Sequence, residues 1–139
     1  MRQRQEVLHV RGRGHGLHEI TTDVERVVAD SGVRTGICHL FLSHTSASLL
    51  LQENADPTAR ADLERWFDGL APENDPGYRH TTEGPDDMPA HLKTAVTSSS
   101  ESIPIVEGRL ALGTWQGIYL FEHRRRAASR RLVVHVLGE

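Results

Sequence analysis

The 139-residue sequence predicts an α+β fold with a sheet or sandwich core. Extended, alternating segments crowd both ends of the chain, helix-period segments lie between them, and turn residues separate the two kinds. One domain is the natural reading, because the length builds one real core and is too short for two ordinary ones.

The alternation in "QEVLHV" predicts a first strand. After the glycine-rich turn "RGRG", "GHGLHEIT" reads as a second short extended segment. "TTDVERVVADSG" reads as a helix: Thr21 or Thr22 caps it, Asp23 and Glu25 sit at its positive end, Val24, Val27 and Val28 form one stripe, and Gly32 ends it. Residues 36–43, "GICHLFLS", predict a strand with Ile37, His39 and Phe41 on one face and Cys38, Leu40 and Leu42 on the other, both faces reading as largely buried. The Asp56-Pro57 pair predicts the next helix start, and Leu63, Trp66, Phe67 and Leu70 fall at i, i+3, i+4 and i+7 on one apolar face. A Pro-, Gly- and Asp-rich loop fills residues 71–87, and a third helix is expected from about Pro89. "SIPIVEG", "RLALG", "QGIYLFEH" and "RRLVVHVLG" then return the chain to strands.

Apolar content of 37% and charged content of 25% are those of a water-soluble globular chain. The one cysteine, Cys38, has no partner for a disulfide, which makes the reducing cytoplasm the default compartment. No segment reads as a signal peptide or a membrane span. A net charge of −3 gives no general attraction to nucleic acid, and the cluster Arg124, Arg125, Arg126, Arg130, Arg131 reads as a solvated turn rather than a phosphate patch.

In "FLSHTSASLLLQEN" an apolar strand gives way to His44, Thr45, Ser46 and Ser48 where a core would want Val or Ile. Of the nine histidines, His44, His80 and His91 each fall at a boundary between expected elements. An ordinary surface histidine is the default reading of each. His91, at the start of a helix, is expected to be kept neutral by the positive dipole end. Three neutral imidazoles with an open position make a zinc site of catalytic type, but spacings of 36 and 11 residues match no local metal motif.

"HTSASLLLQENADPTARADL", "YRHTTEGPDDMPAHLK", "GRLALGTWQGIYLFEHR" and "SRRLVVHVLGE" resemble the signature blocks of the YjbQ family, also called the UPF0047 or secondary thiamine-phosphate synthase family. The likeness runs from about Glu6 to Glu139. It implies a single domain over residues 1–139, with a sandwich-like (jelly-roll-like), mainly antiparallel sheet core, two to three helices and a homotrimeric assembly. His44 matches the H-T-[ST]-A histidine, His80 the one after Tyr-Arg, and His91 that of A-H-[LI]-K, which makes these three the expected metal ligands, with zinc the ion suited to imidazole and Mg²⁺ the alternative for a pyrophosphate substrate. The resemblance also implies thiamine-phosphate synthesis on a small phosphorylated metabolite, with His44 and Gln116 in catalytic roles. Thr45, Ser46 and Ser48 are then phosphate donors, and Trp115 and Gln116 substrate contacts. Two other readings stand beside it: metal-assisted hydrolysis of a phosphorylated metabolite, and a trimeric metal- or anion-binding protein without turnover. Asp87 stands where many members carry asparagine, and His123 is a weaker ligand candidate than the other three.

Overall fold

The computed structural model describes residues 1–11, 14–126 and 128–139. Its strands are β1 (Arg2–Arg11), β2 (Gly16–Glu19), β3 (Thr35–Leu42), β4 (Ala47–Glu53), β5 (Ser100–Val106), β6 (Arg109–Leu110), β7 (Gln116–Glu122) and β8 (Ser129–Gly138), and its helices are α1 (Thr21–Ser31), α2 (Pro57–Leu70) and α3 (Asp87–Val96). Every strand pairing is antiparallel. They form a five-stranded sheet in the order β1-β8-β3-β5-β6 and a three-stranded sheet in the order β2-β7-β4. The expected α+β fold with an antiparallel sheet core is thus the fold observed.

The apparent interruption of the strand at residues 43–46 is a change of sheet. β3 ends at Leu42 in the larger sheet and β4 begins at Ala47 in the smaller one, so Ser43, His44, Thr45 and Ser46 cross the end of the sandwich. Polar residues suit that crossing, since some of its backbone groups are met by side chains: the Ser46 N–H donates to His44 Nδ1 and the Thr45 carbonyl accepts from His91.

Between the sheets, Cys38, Leu40 and Leu42 of β3 meet Leu132, Val134 and Val136 of β8, Ala47 and Leu49 of β4, Ile118 and Leu120 of β7, and the Val24, Val27, Val28 stripe of α1. Burial raises the Cys38 thiol to about 11, so it stays protonated inside this core. The other face of β7 carries Tyr119 and Phe121, which α2 covers with Phe67 in an edge-on contact of 5.1 Å to Phe121. β7 is therefore buried on both sides, which explains its unbroken apolar run.

Several local expectations are corrected. α1 is not capped by a threonine side chain; Thr21 Oγ1 instead donates to Glu19 (2.8 Å) and accepts the Ile118 N–H (2.9 Å), tying the helix start to β7. Its C-terminus is as expected, with Gly32 at φ 70° in the left-handed conformation glycine favours. Asp56 caps α2 by accepting from the Thr58 N–H at 2.9 Å. Of that helix's apolar stripe only Phe67 is buried, whereas Trp66 and Leu70 are exposed.

β3 is not covered on both faces either. Ile37 and Phe41 are 42% and 46% exposed, because no element among the described residues packs on the outer side of the larger sheet. On that side Val7, Val133 and Phe41 stand directly opposite one another across β1, β8 and β3. No helix among the described residues is long and apolar enough to cross a membrane.

Candidate metal centre

α3 begins at Asp87, two residues before the expected start, and this places Asp87 and His91 at i and i+4 on one face. His91 therefore sits one turn inside the helix, beyond the free N–H groups expected to act on it. The loop after α2 returns His80 to the same face, its ring centroid 5.4 Å from that of His91. His80 Nε2 lies 2.8 Å and His91 Nε2 3.2 Å from Asp87 Oδ2.

The proton inventory of this cluster is short. His91 Nδ1 is 3.2 Å from the Thr45 carbonyl oxygen, which can only accept, so Nδ1 carries a hydrogen. The ring's Nε2 faces the Asp87 carboxylate oxygen, and either a proton or a metal ion between the two satisfies both. His80 Nε2 is also 2.8 Å from Glu83 Oε2, so a second imidazole nitrogen is shared between two carboxylates. Burial pushes the Asp87 carboxyl up, but the charge of His91, a hydrogen bond from His80 and the Arg124 guanidinium outweigh it and hold the group below the usual carboxylate range.

A metal ion fits this donor set. The ligating atoms of His80, Asp87 and His91 lie within 4.8 Å of one another, and donors on one zinc ion, with bonds near 2 Å, stand about 3.3 Å apart. Thr45 fixes the His91 tautomer, and Arg124 Nη1 donates to the second Asp87 oxygen at 2.5 Å, which are the supporting contacts a metal site needs.

His44 stands outside this cluster. Arg130 Nη1, which can only donate, is 2.8 Å from His44 Nε2, and the Ser46 N–H and Oγ both lie 3.0 Å from Nδ1, so each ring nitrogen already faces a donor of the chain. Burial and then Arg130 lower the His44 pKa, so the ring is held neutral. Arg130 is in turn gripped by Glu122 through Nε (2.7 Å) and Nη2 (2.6 Å), both residues being buried. The arginine-rich turn is therefore not simply solvated: Arg130 and Arg124 point inward, and Arg125 pairs with Glu73.

The remaining expected residues divide between two ends of the sandwich. Ser48 Oγ bonds His123 Nε2 at 2.9 Å and Ser46 bonds His44, so both hydroxyls are committed to imidazoles, whereas Thr45 contributes its carbonyl. Gln116 and Trp115 lie at the opposite end. β4 pairs Ala47 with Glu122 and Glu53 with Gln116, and six strand steps separate those rungs by about 20 Å. Gln116 Oε1 accepts from the Gly113 N–H at 2.9 Å and closes a turn, and Trp115 is exposed. Within one chain neither reaches the histidines. Asp87, the hub of the cluster, is signalled in the sequence by its i, i+4 spacing to His91.

The family model for UPF0047 protein YjbQ-like chains matches residues 6–139. The chain belongs to the YjbQ family. A UPF0047 protein of Synechocystis is 54% identical over 99% of this chain and 94% of its own length. The UPF0047 protein YjbQ of Escherichia coli O157:H7 is 44% identical over 97% of this chain and 98% of its own. Among solved structures, a YjbQ-like protein of unknown function from Sulfolobus solfataricus superposes with a TM-score of 0.88 at 27% identity, covering 99% of this chain and 98% of the other. A conserved hypothetical protein of Thermus thermophilus gives 0.83 at 36% identity, covering 95% and 99%.

These relatives correct the functional expectation. They are UPF0047 proteins without an assigned activity, and nothing in them points to thiamine-phosphate synthesis.

Proposed function

We propose that this YjbQ-family protein binds a divalent metal ion, zinc by the nature of the donors, at His80, Asp87 and His91, and that the centre engages a small phosphorylated metabolite. The observation that carries the reading is the convergence of the ligating atoms of His80, Asp87 and His91, all within 4.8 Å of one another. Two imidazoles and one carboxylate suit zinc better than Mg²⁺, which prefers oxygen donors. A bound ion would act as a Lewis acid on a substrate oxygen and lower the pKa of coordinated water. The protein's own part is to hold the donors: Arg124 orients Asp87, and Thr45 orients His91.

The test is metal analysis of purified protein and zinc titration of stripped protein, with His91→Ala and His80→Ala beside the parent. One zinc per chain that each substitution weakens at least about tenfold supports the reading. Absence of metal in the parent, or equal binding by the variants, refutes it. Titration of the zinc-loaded and zinc-free forms with inorganic phosphate then asks whether the ion creates an anion site.

We also propose a homotrimer, supported by the uncovered row of Val7, Val133 and Phe41 on the larger sheet. Sedimentation equilibrium of the parent and of Phe41→Glu tests it.

A further inference from the structure

Glu83 lies beside the metal centre without belonging to the three donors that converge there. Its Oε2 is 2.8 Å from His80 Nε2, the same atom that stands 2.8 Å from Asp87 Oδ2. One ring nitrogen offers a single hydrogen or a single lone pair, so the two carboxylates compete for it. They are held very differently. Asp87 is buried, and its second oxygen takes the Arg124 guanidinium. The Glu83 side chain is 62% exposed and pairs with no Lys or Arg among the described residues. Only its backbone is fixed: Arg124 Nη2 donates to the Glu83 carbonyl at 2.8 Å, and the Asp87 N–H donates to the Gly84 carbonyl at 3.3 Å. Gly84, at φ 103°, makes the turn into α3 that glycine alone adopts without strain.

Resting on the reading of His80, Asp87 and His91 as a metal centre, we propose that Glu83 is its exchangeable fourth ligand. The carboxylate completes the donor set when no substrate is bound and gives way to an oxygen of an incoming oxyanion. Three protein donors leave one position of a tetrahedral ion open, whereas four close it to substrate. Glu83 serves both states, because its anchored backbone keeps the carboxylate beside His80 while exposure leaves the side chain free to rotate. The neighbouring acids are committed elsewhere: Asp86 takes Arg124 Nε and the Arg125 N–H, and Glu122 takes Arg130. An exposed carboxylate is also the ligand an anion displaces at least cost, since displacing Asp87 would leave Arg124 without its partner.

The test compares the full chain, stripped of metal and reloaded, with Glu83→Gln, an exposed substitution that leaves the core untouched. In zinc titration Glu83→Gln is expected to take one zinc per chain, with an affinity lowered by less than the loss of about tenfold or more in His80→Ala and His91→Ala. Inorganic phosphate titrated into the zinc-loaded forms should then bind at least about threefold tighter to Glu83→Gln than to the parent, since the anion has no carboxylate to displace. Cobalt(II) in place of zinc reports the exchange itself. The visible absorption of the cobalt-loaded parent should shift on adding phosphate, and Glu83→Gln without phosphate should already differ from the parent. A charge acting only at a distance would change the affinity and leave the absorption alone. Equal phosphate affinity in the two forms, identical cobalt absorption, or a loss of zinc as severe as in His80→Ala overturns the proposal while the metal reading stands. A parent that takes up no zinc overturns both.

Discussion

His123 makes the stability of this protein depend on pH above the range where carboxylates titrate. Burial, then the nearby charges of Lys93, His15 and Arg130, lowers its pKa from 6.5 to about 3. Between those values the unfolded chain binds a proton that the folded chain refuses, so stability is complete above about pH 6.5 and falls as the pH drops. The slope approaches about 1.4 kcal/mol per pH unit, and the loss from pH 7 to pH 5 is about 2 kcal/mol for this one group. Asp68, Asp86 and Asp87 are also held below the usual carboxylate range, so their contributions are lost only at more acid pH. His44, lowered by burial and Arg130, adds in the same direction as His123. Urea denaturation at half-unit steps from pH 7.5 to 5 measures the slope, and His123→Gln should remove most of it while lowering stability at pH 7.5. A flat profile in the parent, or an equal slope in the variant, would refute the assignment of a buried neutral imidazole.

Replacing Glu122 by Gln leaves the buried Arg130 guanidinium without its anion and should cost about 3–5 kcal/mol in the same assay, because the desolvated charge remains. His44→Ala should leave zinc stoichiometry unchanged, since the His44 ring nitrogens face Arg130 and Ser46 and not the cluster; loss of zinc in that variant would return His44 to the ligand set. Gly36→Ala should destabilise by about 1–3 kcal/mol or more, because a methyl group there runs into the Leu137 carbonyl oxygen across the β3–β8 ladder. A melting temperature equal to the parent's would show that the ladder can part there at no cost.

Much of the fold is legible in the sequence because local chemistry and tertiary context agree along most of the chain. Gly32 ends α1 because glycine relaxes at that φ, and the Asp56-Pro57 pair starts α2 by capping and by a pre-set φ. Sequence reasoning fails where a residue's role is set by something distant in the chain. Thr21 reads as a cap, but its hydroxyl is taken by Ile118, 97 positions away. Ile37 and Phe41 are as apolar as Leu40, and only the strand order shows that their side of the sheet lies open.

The candidate site divides in the same way. His80 and His91 are found from the sequence, and Asp87 could have been, because i, i+4 adjacency is a property of any helix. His44 joins them by residue type, and what separates it is the Arg130–Glu122 pair. That pair spans the β7–β8 connection, so sequence makes it look like part of a solvated basic run. Burying Glu122 at 0% exposure is tolerable only with the guanidinium fork on it, and the fork's remaining Nη1 must then find an acceptor. His44 Nε2 is that acceptor. A metal ion drawing on the same lone pair would have to release Arg130 Nη1 into a buried setting, and that cost is the physical reason to place the ion with His80, Asp87 and His91.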